Sequence, residues 1–178
     1  RDWMTLTQSP LDLVFVPSAM GHATAIGLGL ALAQPDRRVI VCNGDGSMLM
    51  NLGSLVSIAG ANASNLVVAL FDNGVYEASG GQESASVVAD IVQLAKAAGY
   101  PRAKWVATPD ELAREAVAGL AAKELTLLGV KIDLGGADVP EFQIPEVEMK
   151  FRFIRHIERT EMTSILSLWS VGPDGRPK

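Results

Sequence analysis

The chain reads as an α/β protein: a mostly parallel sheet with helices on both faces, in three α/β/α layers. Three observations predict this. Strand-like and helix-like segments alternate as far as Leu134, the pattern that builds parallel sheets through crossover helices. The apolar runs VIVC, LVVALF and LTLLGVKI lack two-residue alternation, as strands covered on both faces do. The 178 residues are 48% apolar and 20% charged, a globular composition with enough chain for one real core.

The elements follow in order. Leu11 to Val16 predicts a short strand stopped by Pro17. Gly21 to Gln34 predicts a helix ended by Pro35-Asp36, in which Gly27 and Gly29 are each costly by about 1 kcal/mol against Ala and so imply close approach of a neighbour. Arg38 to Cys42 is a buried-type strand. Ser47 to about Gly60 is a helix, with Leu49, Leu52, Leu55, Val56 and Ala59 near helical spacing. Leu66 to Phe71 is a second apolar strand, and Asp72 to Ser86 a long polar, glycine-rich loop of the kind that carries function. A helix over Val87 to Gly99 and a strand over Ala103 to Ala107 come next. Thr108-Pro109-Asp110-Glu111 is a capping-box start with Pro at the first helical position, opening a helix to about Lys123. Leu125 to Leu134 is the last strand. Beyond Gly135 periodicity is lost until a helix expected over Phe151 to about Trp169, before a frayed end.

The formal net charge of −5 offers no basic footprint, which argues against nucleic acid. One cysteine, Cys42, permits no internal disulfide, and a reducing cytoplasm is the simplest setting. No apolar run reaches the ~18 residues that span a bilayer, so no membrane partner is expected. The chain opens on Arg1 without a signal-peptide shape, as a fragment or a trimmed chain would.

Two loops hold the chemistry. Gly44-Asp45-Gly46 ends one strand and Asp72-Asn73-Gly74 ends the next, and ligands of such sheets sit at the carboxyl ends of strands. Asp45 offers a carboxylate and Asn73 an amide oxygen; with a backbone carbonyl they suit Mg²⁺, which shares its oxygens with phosphate. Gly44 and Gly46 let the backbone approach an anion, and a helix from Ser47 aims free amides at it. Alone, GDG is only a turn signal. An EF-hand fails, because Ser54 or Val56 stands where the closing Glu is needed, and neither the P-loop nor the dinucleotide fingerprint is present.

GDGSMLMNLGSLVSIAGANASNLVVALFDNG resembles the motif of thiamine diphosphate enzymes, which opens on GDG and closes on Asn. SAMGHATAIGLGLALAQPDRRVIV resembles the segment before GDG in decarboxylases of that family, and NLGSL with DNGVYEASGGQ resembles the sulfopyruvate and phosphonopyruvate decarboxylase group. The resemblance implies a diphosphate-binding domain over residues 1–135, strongest over 17–134, with 136–178 as a C-terminal extension to which nothing carries over. It implies Mg²⁺ held by Asp45, Asn73 and the Val75 carbonyl, and diphosphate met by the amides of Gly46 and Ser47. Met20 falls where the family puts an apolar wedge under the cofactor; a core filler is the bland alternative. The backbone of Ser18 and Met20 would bond the aminopyrimidine. His22 is a candidate proton donor or a polar group bonded at a helix start. Asp72 stands where many relatives have a second Asn, and Glu77 where the nearest have a small residue. Tyr76, Ser79, Gly80, Gly81 and Gln82 are candidates for a lid.

The family's activating glutamate lies in a separate pyrimidine-binding domain, which these residues do not resemble. The implied function is one half of a thiamine diphosphate-dependent 2-oxo acid decarboxylase, completed by an α subunit or a missing N-terminal domain in an oligomer. The alternatives are a carboligase of the acetolactate synthase kind and a non-catalytic cofactor-binding or assembly module.

Overall fold

A computed structural model describes residues 3–7, 9–14, 20–135 and 144–161. The chain divides into two compact units, residues 17–134 and residues 1–16 with 135–178.

The larger unit is built on four parallel strands: β1 (Val39–Gly44), β2 (Leu66–Asp72), β5 (Arg102–Val106) and β6 (Thr126–Lys131), in the order β1-β2-β6-β5. A two-stranded antiparallel ladder, β3 (Val75–Tyr76) with β4 (Gln82–Glu83), interrupts the long loop after β2. Helix α2 (Ala23–Ala33) precedes β1, and α3 (Asp45–Leu49), α4 (Gly53–Ala61), α5 (Ile91–Ala98) and α6 (Pro109–Ala122) fill the crossovers. Val41, Val68 and Leu127 stand in register and join Leu55, Ile58, Val92 and Ala95 in one core, which puts α4 and α5 on that face. α2 joins them through Gly27, where an added Cβ would lie 2.2 Å from Val41 Cγ2. The opposite face is served by α6, whose Gly119 meets Thr126 of β6. The sheet is parallel, with helices on both faces, as the unalternating strands predict.

Several elements depart from the sequence reading. The helix expected from Ser47 starts at Asp45 and breaks: Asn51 N–H bonds Met48 O and Ser54 N–H bonds Asn51 O, three-residue steps that tighten the chain between α3 and α4. The Asn51 side chain turns aside to Gly21 O at 3.0 Å. The helix expected from Val87 begins at Ile91, because Asp90 Oδ1 accepts Gln93 N–H as an N-cap. α6 starts as expected: Thr108 Oγ1 accepts Glu111 N–H at 3.1 Å, although Glu111 returns its own bond to Ala107 N–H. The final strand is shorter than Leu125 to Leu134, spanning Thr126–Lys131. Gly27 has the packing reason expected of it. Gly29 does not, since a Cβ there would meet nothing within 4 Å.

The smaller unit holds α1 (Trp3–Leu6) and α7 (Glu146–Glu161). The strand expected over Leu11 to Val16 is absent over its described part. Asp12 N–H bonds Ser9 O in a turn, and the Asp12 carboxylate takes Trp3 Nε1 and Thr7 Oγ1. Phe15 and Val16 lie outside the described residues. Arg152 Nη2 of α7 donates to Ser9 O at 3.2 Å. α7 begins five residues ahead of the expected Phe151, and the expected stretch from 162 to Trp169 lies outside the described residues. No helix among the described residues is long and apolar enough to cross a membrane.

Candidate functional site

The site is assembled at the carboxyl end of the sheet. β1 and β2 are paired with Gly44 opposite Phe71, so Asp45 and Asp72 leave adjoining strands at the same level. Asp45 opens α3 and is only 2% exposed. A buried carboxylate needs partners. Its Oδ2 accepts a short hydrogen bond from Ser84 Oγ and a second, 2.9 Å long, from Ser86 Oγ. No described donor reaches its Oδ1.

Asp72, 1% exposed, is differently placed. Its Oδ1 accepts Ser86 Oγ at 2.8 Å and Gly74 N–H at 3.0 Å, and its Oδ2 takes the Lys131 ammonium at 2.5 Å. Both of its oxygens are committed. Of the two buried carboxylates, Asp45 alone keeps an oxygen to offer.

Asn73 is half-buried. Its Oδ1 accepts Val75 N–H at 3.1 Å and its Nδ2 donates to Glu77 Oε2 at 2.9 Å. A backbone amide only donates and a carboxylate only accepts, so these partners fix which end of the amide is oxygen. Ser84 N–H bonds Gly74 O, which makes Val75 and Glu83 a pair that exchanges no ladder bonds. The amide and carbonyl of Val75 therefore face out of the ladder, the amide onto Asn73. The exposed Glu77 is thus a partner of Asn73 and not a free loop charge.

The turn before α2 is tied to the same region. Gly21, at φ +82°, donates its N–H to Ser47 Oγ at 3.0 Å and accepts Asn51 Nδ2 through its carbonyl. This fixes Met20, half-buried, beside the start of α3. His22 is exposed and N-caps α2 without a side-chain bond, so the bonded-polar alternative at that helix start fails. Ser18 lies outside the described residues. The first-turn amides of α3, those of Gly46 and Ser47 included, have no carbonyl one turn earlier to bond. A Cβ at Gly46 would sit 2.6 Å from the Tyr76 ring, so the bare backbone there is filled by Tyr76; at Gly44 the nearest atom would be 3.9 Å away. Gly80 and Gly81 are exposed in the β3–β4 turn, and Gln82 is exposed at the start of β4.

Sequence reasoning missed Ser84 and Ser86. The signal was present as two hydroxyls two residues apart closing a polar loop, but nothing in the spacing says which carboxylate they serve.

An oxygen-only set of carboxylate, amide and carbonyl beside unpaired amides suits a hard cation bound to a phosphate group. The sheet carries this set at its carboxyl end, where α/β domains of the doubly wound kind bind their ligands. Residues 4–130 match the family described as thiamine pyrophosphate enzyme, C-terminal TPP binding domain, and the chain belongs to that family. It is 37% identical to the sulfopyruvate decarboxylase subunit beta of Methanothermobacter thermautotrophicus, over 88% of this chain and 81% of that one. It is 38% identical to the phosphonopyruvate decarboxylase of Streptomyces hygroscopicus over 78% of this chain, spanning 35% of that protein's length. Among solved structures, the thiamine diphosphate-dependent 4-hydroxybenzoylformate decarboxylase of Rhodococcus jostii superposes with a TM-score of 0.55 at 27% identity, over 65% of this chain and 24% of that one.

Proposed function

We propose that this chain is the magnesium- and diphosphate-binding half of a thiamine diphosphate-dependent 2-oxo acid decarboxylase of the sulfopyruvate or phosphonopyruvate type. The observation that carries the reading is the inequality of the two buried carboxylates: Asp72 is fully committed, while Asp45 keeps Oδ1 at the head of α3. Asp45, Asn73 and the Val75 carbonyl would hold Mg²⁺, and the amides of Gly46 and Ser47 would meet the diphosphate, with Gly44 giving the room. Met20 would press under the cofactor as the apolar wedge, and the backbone of Ser18 and Met20 would bond the aminopyrimidine. His22 would be the candidate proton donor at this turn. When bound, thiamine diphosphate supplies the carbanion-stabilising chemistry that decarboxylation needs. The chain's own share is to anchor, orient and bend.

The reading extends to the assembly. The relative from Methanothermobacter is named a β subunit, and the chain spans only part of the phosphonopyruvate decarboxylase. A pyrimidine-binding domain, on an α subunit or on the same polypeptide, would complete the site in an oligomer. The lone Cys42 suits a reducing cytoplasm.

Asp45→Ala and Asn73→Ala are each expected to abolish Mg²⁺-dependent binding of thiamine diphosphate, measured by calorimetry. Unchanged affinity in both variants would sink the assignment. Assaying the assembled enzyme with sulfopyruvate, phosphonopyruvate and pyruvate fixes the reaction: an aldehyde supports decarboxylation, whereas acetolactate from pyruvate would make it a carboligase.

A further inference from the structure

Four buried oxygen-bearing side chains form one network. Ser86 Oγ lies 2.9 Å from Asp45 Oδ2, 2.8 Å from Asp72 Oδ1 and 2.8 Å from Ser84 Oγ, and Ser84 Oγ also donates to Asp45 Oδ2. Asp45, Asp72, Ser84 and Ser86 are 2%, 1%, 1% and 8% exposed, so water contributes little to their solvation. The far end is anchored by Lys131, which binds Asp72 and lies 4.9 Å over the Trp105 ring. The network converges on one oxygen of Asp45 and leaves the other alone.

We infer that Ser84 and Ser86 are positioning residues that reserve Oδ2 of Asp45, so that its carboxylate meets a metal through Oδ1 alone. This rests on the reading of Asp45 as a metal ligand. Mg²⁺ demands near-ideal octahedral geometry and is content with single carboxylate oxygens. Ca²⁺ takes more oxygens and accepts both from one carboxylate. An aspartate whose Oδ2 is held by Ser84, and by Ser86 in turn, is a one-oxygen ligand, so the serine pair selects Mg²⁺ against Ca²⁺. Each hydroxyl has one hydrogen to give. Ser86 therefore donates to one carboxylate at a time, and Ser84 keeps Oδ2 occupied when Ser86 turns to Asp72.

The test titrates the full chain, purified with the subunits it carries, with Mg²⁺ or Ca²⁺ in the presence of thiamine diphosphate. In the double variant Ser84→Ala with Ser86→Ala, Mg²⁺ affinity is expected to fall about 10- to 100-fold, the usual effect of losing an outer-shell partner, and by less in either single variant, where the remaining hydroxyl still reaches Oδ2. Ca²⁺ affinity falls less, because the freed Oδ2 becomes a second ligand. The Mg²⁺-to-Ca²⁺ preference then shifts by ~10-fold or more. The double variants Ser84→Thr with Ser86→Thr and Ser84→Val with Ser86→Val are matched in shape and differ in the hydroxyls, so their comparison answers the question if the alanine variants fold poorly. Equal losses for both metals, no loss for either, or identical preference in the Thr and Val variants overturns the inference. Asp45→Ala separates it from the reading beneath. If that variant loses both metals while the serine variants keep the wild-type preference, the site stands and the serine role falls. If Asp45→Ala binds both metals normally, or the wild type binds neither, the metal site falls and the inference with it.

Discussion

Asp45 and Asp72 are the same side chain on adjoining strand ends, and their partners give them opposite duties. Lys131 and Gly74 absorb the charge of Asp72, which makes it a brace for the loop beyond it. Asp45 receives only neutral hydroxyls and keeps its charge available. The glycine after it has an equally specific reason. A side chain at Gly46 would enter the Tyr76 ring, with Cδ1 at 2.6 Å and Cε1 at 2.8 Å. Gly46→Ala must displace that ring, and overpacking of this kind costs typically 1–3 kcal/mol. The variant is expected to fold less stably and to bind thiamine diphosphate more weakly, read by chemical denaturation and by calorimetry on the same sample. Wild-type values in both would show that Tyr76 yields freely. The sequence pointed to Asp45, Asn73 and the glycines because they sit at strand ends, where residue type and position coincide. It did not point to Ser84 and Ser86, because their meaning comes from a loop that folds back through the β3–β4 ladder.

Single elements show the same division between local and long-range causes. The strands and α6 were legible because burial on two faces and a Thr-Pro-Asp-Glu start leave local marks. The break between α3 and α4 was not, because it follows from Asn51 reaching Gly21 across the fold, and Asn51 sits within an otherwise helical pattern. The two glycines of α2 make the point quantitatively. Sequence alone assigns both the same cost and the same excuse, whereas a Cβ at Gly27 would lie 2.2 Å from Val41 Cγ2 and one at Gly29 would meet nothing. Gly29→Ala is expected to stabilise the fold by about 1 kcal/mol through helix propensity. Gly27→Ala is expected to destabilise it by about 1–3 kcal/mol, because α2 must lift from β1. Urea midpoints of the two variants should therefore move in opposite directions, and movement in the same direction would refute the close approach of α2 to the sheet.

At the scale of the whole molecule, the proposed site is one-sided. Every proposed ligand would serve the metal, the diphosphate or the underside of the cofactor, and all of them come from residues 18 to 75. The sequence relations agree with a divided enzyme: the chain spans 81% of a protein named a β subunit, 35% of the phosphonopyruvate decarboxylase and 24% of the structurally similar 4-hydroxybenzoylformate decarboxylase. On the proposed reading, anchoring Mg²⁺ and diphosphate would need only α3 and the β2 loop, whereas starting the chemistry would need a group from elsewhere. Binding and turnover should therefore separate. The chain purified alone is expected to decarboxylate neither sulfopyruvate nor phosphonopyruvate, and to gain turnover when a pyrimidine-binding partner is added. Stopped assays of aldehyde formation, with the chain at fixed concentration and the partner titrated in, should rise to a plateau at a fixed ratio of the two. Turnover by the rigorously purified chain alone would show that the site is complete without a partner, and the division of labour proposed for Asp45 and its neighbours would have to be abandoned.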